Sequence, residues 1–141
     1  MQKRIEMKQE TYELFKTGTI DDILNTIDAE LKTRNESPIW TDKVVPFSRA
    51  ILSVLIVLRD ENRLFTPEGK DVDELTPELF LTWSDFVSLK MLFFKVQNVD
   101  LNILGEYLHR YNVNLENESL DFPIANYNLH QGVSNVIKSL F

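Results

Sequence analysis

The chain has no cysteine, so no disulfide or thiolate metal site holds it together, and a reducing compartment suits it. Glycine (4) and proline (5) are scarce, too few for the turns of a many-stranded sandwich. No linker rich in Gly, Ser or Pro, no low-complexity segment and no internal repeat divides the 141 residues, enough for one domain with a sizeable core. The first residues, MQKRIEMKQE, lack the apolar stretch of a signal peptide. Long hydrophobic runs are missing too. The most apolar stretch, "AILSVLIVLRDEN" (Ala50 to Asn62), meets Arg59, Asp60 and Glu61 well before the ~20 apolar residues of a membrane helix are reached.

What remains is an ordinary globular composition, 43% hydrophobic and 26% charged. The 15 basic and 22 acidic residues give a net charge of −7. That balance opposes a general grip on a phosphate backbone, which depends on Lys and Arg, so direct nucleic-acid binding is not expected. A basic protein partner suits it better. The plain alternative is that the charge only keeps the domain soluble.

The pattern along the chain is helical. Residues 3 to 16 form an irregular helix that ends at Thr17-Gly18-Thr19. Thr19 then caps a second helix, with Asp21 and Asp22 in its positive first turn and Ile20, Ile23, Leu24, Ile27 and Leu31 on one face. Lys32 and Arg34 suit its last turn. After a polar break from Asn35 to Pro38, Trp40 packs near the start of the next element, which Pro46 opens or kinks. Apolar residues at 47, 50, 51, 54, 55 and 58 mark one helical face, and Leu52, Ile56 and Val57 fill the other. A helix apolar all round is a buried one. A buried strand is the rival, but no neighbouring segment could complete its hydrogen bonds.

Residues 61 to 75 read as a polar connection. Thr76-Pro77-Glu78 is a strong helix start for a short helix through Trp83, and Ser84-Asp85 cap another running from Phe86 to about Gln97. Asp100 opens the next, with Leu101, Leu104, Leu108 and Tyr111 on one side. The stretch from Asn112 to Pro123 is a loop. A last helix carries Ile124, Tyr127, Val133, Val136, Ile137 and Leu140 and reaches Phe141 without a stop signal. The expected fold is all-α: a single domain over 1–141, of six or seven helices around a buried central helix at about 47–60. The unfinished end suggests excision from a longer protein.

Catalytic motifs are not found. There is no G-x-x-x-x-G-K-[ST] loop, no G-x-S-x-G elbow and no Cys nucleophile. His109 and His130 have no second ligand at helical spacing beyond Asn112 and Ser134, so both read as surface or partner-contact residues and no metal is expected. Asp21-Asp22 serve helix capping, and Asp73-Glu74 lie in a polar loop rather than across a substrate. Phe93, Phe94, Tyr107 and Tyr111 are spaced for packing, with only Lys90, Lys95 and Arg110 near them, too few bases for nucleic-acid stacking.

Two stretches concentrate negative charge. Glu68 to Asp85 holds six acids against Lys70 alone, and Asn112 to Leu129 holds Glu116, Glu118 and Asp121 with no base. A solvated loop explains either. The sharper expectation is a docking surface for a basic segment, made by Asp71, Asp73, Glu74, Glu116, Glu118 and Asp121.

The order of segments resembles the all-α domain of type IV coupling ATPases, the TraD/TraG-like proteins of conjugation and type IV secretion. "TIDDILNTIDAEL" (Thr19 to Leu31) is similar to the family's segment leading into that domain. "FSRAILSVLIVLRDEN" (Phe47 to Asn62) is similar to its central helix, which typically ends in Leu-Arg-Asp. "LTPELFLTWSDFVSLKML" (Leu75 to Leu92) resembles its paired short helices, and "LHQGVSNVIKSLF" (Leu129 to Phe141) its last helix with a His-x-Gly turn. The resemblance implies a parent that is a membrane-anchored homo-hexameric ATPase at the cytoplasmic face of a bacterial inner membrane. There the all-α domain is inserted in a RecA-like nucleotide-binding domain and receives substrates: relaxase-bound DNA or effector proteins. None of the parent's nucleotide-binding residues match, so ATP, Mg and catalysis belong to the parent and no cofactor to this chain. The implied partner is an effector, adaptor or regulatory protein, and the acidic balance favours a protein-delivering branch such as that of the Cag system. Arg59 and Asp60 are expected to anchor the end of the central helix to neighbouring helices. A free-standing helical adaptor or chaperone of a secretion system is the alternative.

Overall fold

The computed structural model describes residues 9–34, 38–117 and 123–141. Among them are seven helices: α1 (Gln9–Thr17), α2 (Ile20–Thr33), α3 (Pro38–Asp60), α4 (Pro77–Thr82), α5 (Phe86–Lys95), α6 (Asn102–Arg110) and α7 (Ile124–Leu140). No strand is formed among the described residues, only one isolated bridge between Phe65 and Asp71. The all-α expectation holds, and the start of the expected first helix, residues 3 to 8, lies outside the described residues.

Local chemistry sets most helix ends. Thr19 and Asp22 form a reciprocal capping box: the Asp22 amide donates to Thr19 Oγ1 (3.1 Å) and the Thr19 amide to Asp22 Oδ2 (3.2 Å). Thr76 caps α4 through the Leu79 amide (3.1 Å), with Pro77 at the first helical position. At the end of α3 the Asn62 amide donates to the Arg59 carbonyl and the Arg63 amide to the Leu58 carbonyl, while Asn62 takes φ 56°. This is a Schellman closure with Asn in the left-handed position. Asn112 (φ 59°) closes α6 in the same way, through the Asn112 and Val113 amides.

The central helix is longer than its sequence pattern. It starts at Pro38 rather than near Phe47, so Trp40 belongs to its first turn and Pro46 lies inside it. A mid-helix proline costs about 3 kcal/mol. Burial on both sides of it offsets that: Val44, Phe47, Ser48, Ala50, Ile51, Leu52, Val54, Leu55 and Leu58 are all buried. α3 packs against α2, α4, α6 and α7, which is why it is apolar on more than one face. Among the described residues no helix is long and apolar enough to cross a membrane.

Helix α1 packs against α4 and the residue that follows α7. The Phe15 ring of α1 lies 5.8 Å from Phe141 and 5.8 Å from Phe80 of α4, all within a common core.

Candidate docking surface

The acidic connection between α3 and α4 is ordered by its own backbone. The Thr66 amide donates to the Lys70 carbonyl (2.8 Å), the Val72 amide to Leu64 (3.0 Å) and the Gly69 amide to Thr66 (2.8 Å). Gly69 sits at φ 91°, where a side chain would be strained. Leu64 and Leu75 are buried at the two ends, and the Trp83 indole N–H donates to the Phe65 carbonyl (3.2 Å). The tip is therefore a short hairpin fixed to the core, not the irregular polar loop its composition suggests.

Its carboxylates face outward. Glu68, Asp71, Asp73, Glu74 and Glu78 are all exposed. Glu74 pairs with Lys16 of α1 at 3.2 Å, both side chains about half exposed, and Glu78 accepts from the Tyr12 hydroxyl. The Glu68 carboxyl is held below its ordinary range by its own backbone amide and the Thr66 hydroxyl. Tyr12 is pushed the other way, its phenol kept protonated by the Glu78 carboxylate. Asp71, Asp73 and Glu74 are thus exposed within four consecutive residues of the chain.

The second stretch is described only in part. Glu116 is exposed on the loop after α6, its amide held by Asn114 Oδ1 at 2.9 Å. Glu118 and Asp121 lie outside the described residues.

The expected anchor at the end of α3 is present and one-sided. The Arg59 guanidinium donates to the Phe15 carbonyl (3.1 Å) and the Gly18 carbonyl (2.8 Å), closing the C-terminal end of α1. Asp60 remains exposed and serves Arg59, Nε to Oδ1 at 2.9 Å.

His130 is not a surface residue. It is fully buried on α7, stacked on Phe86 with centroids 4.1 Å apart and edge-on to Phe47 at 4.9 Å. Its Nδ1 lies 2.8 Å from the Tyr107 hydroxyl and its Nε2 2.9 Å from the Ser84 carbonyl. Ser84 Oγ in turn meets Ser134 Oγ at 3.1 Å. The helical pattern held a signal for this. Val133 and Ile137 lie one and two turns beyond His130 on the same buried stripe. His109, by contrast, is exposed. Lys90, which the sequence analysis places only near the aromatic residues, is also buried, its Nζ 5.9 Å from the centre of the Phe94 ring.

Among the described residues no three His, Asp or Glu side chains converge as a metal would require. Two open grooves are lined by described residues. One of about 380 Å³ between α2 and α3 is lined by Asp21, Asp28, Asp42 and Arg49. One of about 500 Å³ beside α6 is lined by Phe93, Leu101, Gly105, His109 and Leu115. No protein-family model, curated protein or solved structure matches this chain.

Proposed function

We propose that this chain is a non-catalytic helical docking domain of a type IV coupling ATPase, receiving a basic segment of an effector, adaptor or regulatory protein at the edge formed by Asp71, Asp73 and Glu74. The observation that carries the reading is that Asp71, Asp73 and Glu74 are exposed at and just after a hydrogen-bonded hairpin that closes at Val72. A fixed surface loses little conformational freedom on binding. ATP and Mg then belong to the parent, the hexamer is the parent's, and the cytoplasmic location follows from the parent's membrane anchor.

Two measurements test this. Reading the gene past codon 141 should reveal a Walker B segment; a stop codon there would favour the free-standing adaptor instead. In the second, wild-type domain and a D71N/D73N/E74Q variant are compared for capture of basic proteins from the source cell's cytosol, at low and physiological salt. Charge-led binding should fall with salt, because exposed pairs are screened beyond roughly 8 Å, and should fall again in the variant. Capture that is equal for the two proteins and indifferent to salt would remove the acidic edge from the interface.

A further inference from the structure

His130 touches four parts of the fold at once: Phe47 on α3, Ser84 in the turn before α5, Phe86 on α5, and Tyr107 and Tyr111 on α6. Its ring is fully buried, so both nitrogens depend on protein partners. A carbonyl can only accept, so Nε2 carries the hydrogen and donates to Ser84 O. Nδ1 is then the acceptor for the Tyr107 hydroxyl. This arrangement satisfies both nitrogens of the neutral ring.

We propose that His130 is an acid-sensitive lock: neutral, it ties α7 to α6 and to the turn before α5; protonated, it loosens α7 from both. A proton added at Nδ1 would meet the hydrogen of the Tyr107 hydroxyl. Tyr107 must then turn its oxygen toward the ring and its proton toward Tyr111, its hydrogen-bond neighbour, so the present bond reverses. The charged ring would also sit without water among Phe47, Phe86, Tyr107 and Tyr111.

The neighbouring charges do not undo this. At the start of α5 the Asp85 carboxylate favours the charged ring, while Lys138 on α7 itself opposes it. From α6 come Tyr107, whose phenol burial keeps protonated, and Tyr111 beside it, with Arg110 pulling Tyr107 weakly the other way. α3 contributes the Phe47 ring. Burial outweighs the rest and lowers His130 from 6.5 to about 4. The folded chain therefore keeps the ring neutral where the unfolded chain protonates it. The contribution of the neutral ring is whole above pH 6.5 and is lost progressively as pH falls toward about 4.

The test compares unfolding of wild type, H130Q and H109Q in urea at pH 7.5 and pH 5.0. The Gln amide can still donate to Ser84 O but does not titrate, and H109Q removes the exposed histidine as a control. The unfolding constant of wild type should rise about tenfold or more relative to H130Q between the two pH values, and H109Q should follow wild type. An equal pH response in wild type and H130Q overturns the proposal. Should H130Q fail to fold, wild type decides alone, by nitrogen NMR of its imidazoles and amide-exchange protection. The expected result is a neutral Nε2–H ring for His130 at pH 5.5 and weaker protection along α7 at pH 5.0 than at pH 7.5. A charged His130 ring at pH 5.5, or unchanged protection of α7, overturns it.

Discussion

The interior around His130 and the edge that carries Asp71, Asp73 and Glu74 are both rich in polar groups, and they use them oppositely. Inside, side chains satisfy one another: Tyr107 to His130, His130 to the Ser84 carbonyl, Ser84 to Ser134. Removing one member there strands another where water cannot reach it. At the edge the backbone amides and carbonyls satisfy each other, and the carboxylates project into water. Exposed pairs such as Lys16–Glu74 contribute about 0–1 kcal/mol. The difference separates two tasks. Buried polar groups fix one arrangement of helices, and exposed charges remain available for association.

The largest effect should come from neither region but from the apolar helix between them. Leu55→Ala or Leu58→Ala removes a side chain that is at most 1% exposed, and each should destabilise by about 2–5 kcal/mol in urea or thermal unfolding. Against a total of roughly 5–15 kcal/mol, either lowers the melting temperature sharply. If both are silent, α3 is not the centre of the core.

Next comes Arg59→Ala, which strands the Phe15 and Gly18 carbonyls at the end of α1. A loss of about 2–3 kcal/mol is expected, since these are charge-assisted bonds at a half-buried site. Proteolysis between α1 and α2 should accelerate with it. Unchanged stability would mean that α1 is held by Phe15 alone.

Tyr107→Phe sharpens the interior side of the comparison. It keeps the ring that packs on Phe47 and deletes the hydroxyl that meets His130 Nδ1 and Tyr111. The expected loss is about 1–2 kcal/mol by urea denaturation. No loss would show that the buried imidazole does not need that bond.

The smallest stability change belongs to the edge. D71N/D73N/E74Q should alter unfolding by less than about 1 kcal/mol while weakening a basic partner's binding and flattening its salt dependence. A large loss of stability would break the comparison, because the edge would then be structural.

Much of the helical outline was legible in the chain. Thr19, Thr76 and Pro77 mark helix starts through short-range bonds that their own neighbours complete. The stripe Ile23, Leu24, Ile27 and Leu31 announces a buried face. Pro46 is compatible in the sequence with a first turn or a kink, and only packing decides: α3 runs through it because the burial of Val44 and Phe47 on either side outweighs the lost bond. Of the candidate site, Asp71, Asp73 and Glu74 were legible as charge, but their rigidity was not. The bonds Thr66 to Lys70 and Val72 to Leu64 appear only when the hairpin closes.

The sequence by itself determined an all-α chain without disulfides, with a central apolar helix and an acidic surface. Each of these follows from residue type and from interactions within about a turn of chain. Tertiary structure alone decided which groups His130 bonds inside, that Lys90 lies inside, that Arg59 reaches 41 and 44 residues back to Gly18 and Phe15, and that Phe15 meets Phe141. The physical reason is that a polar side chain's cost of burial depends on partners distant in sequence. For His130 those partners are Tyr107 and Ser84, 23 and 46 residues away, and no local pattern announces them.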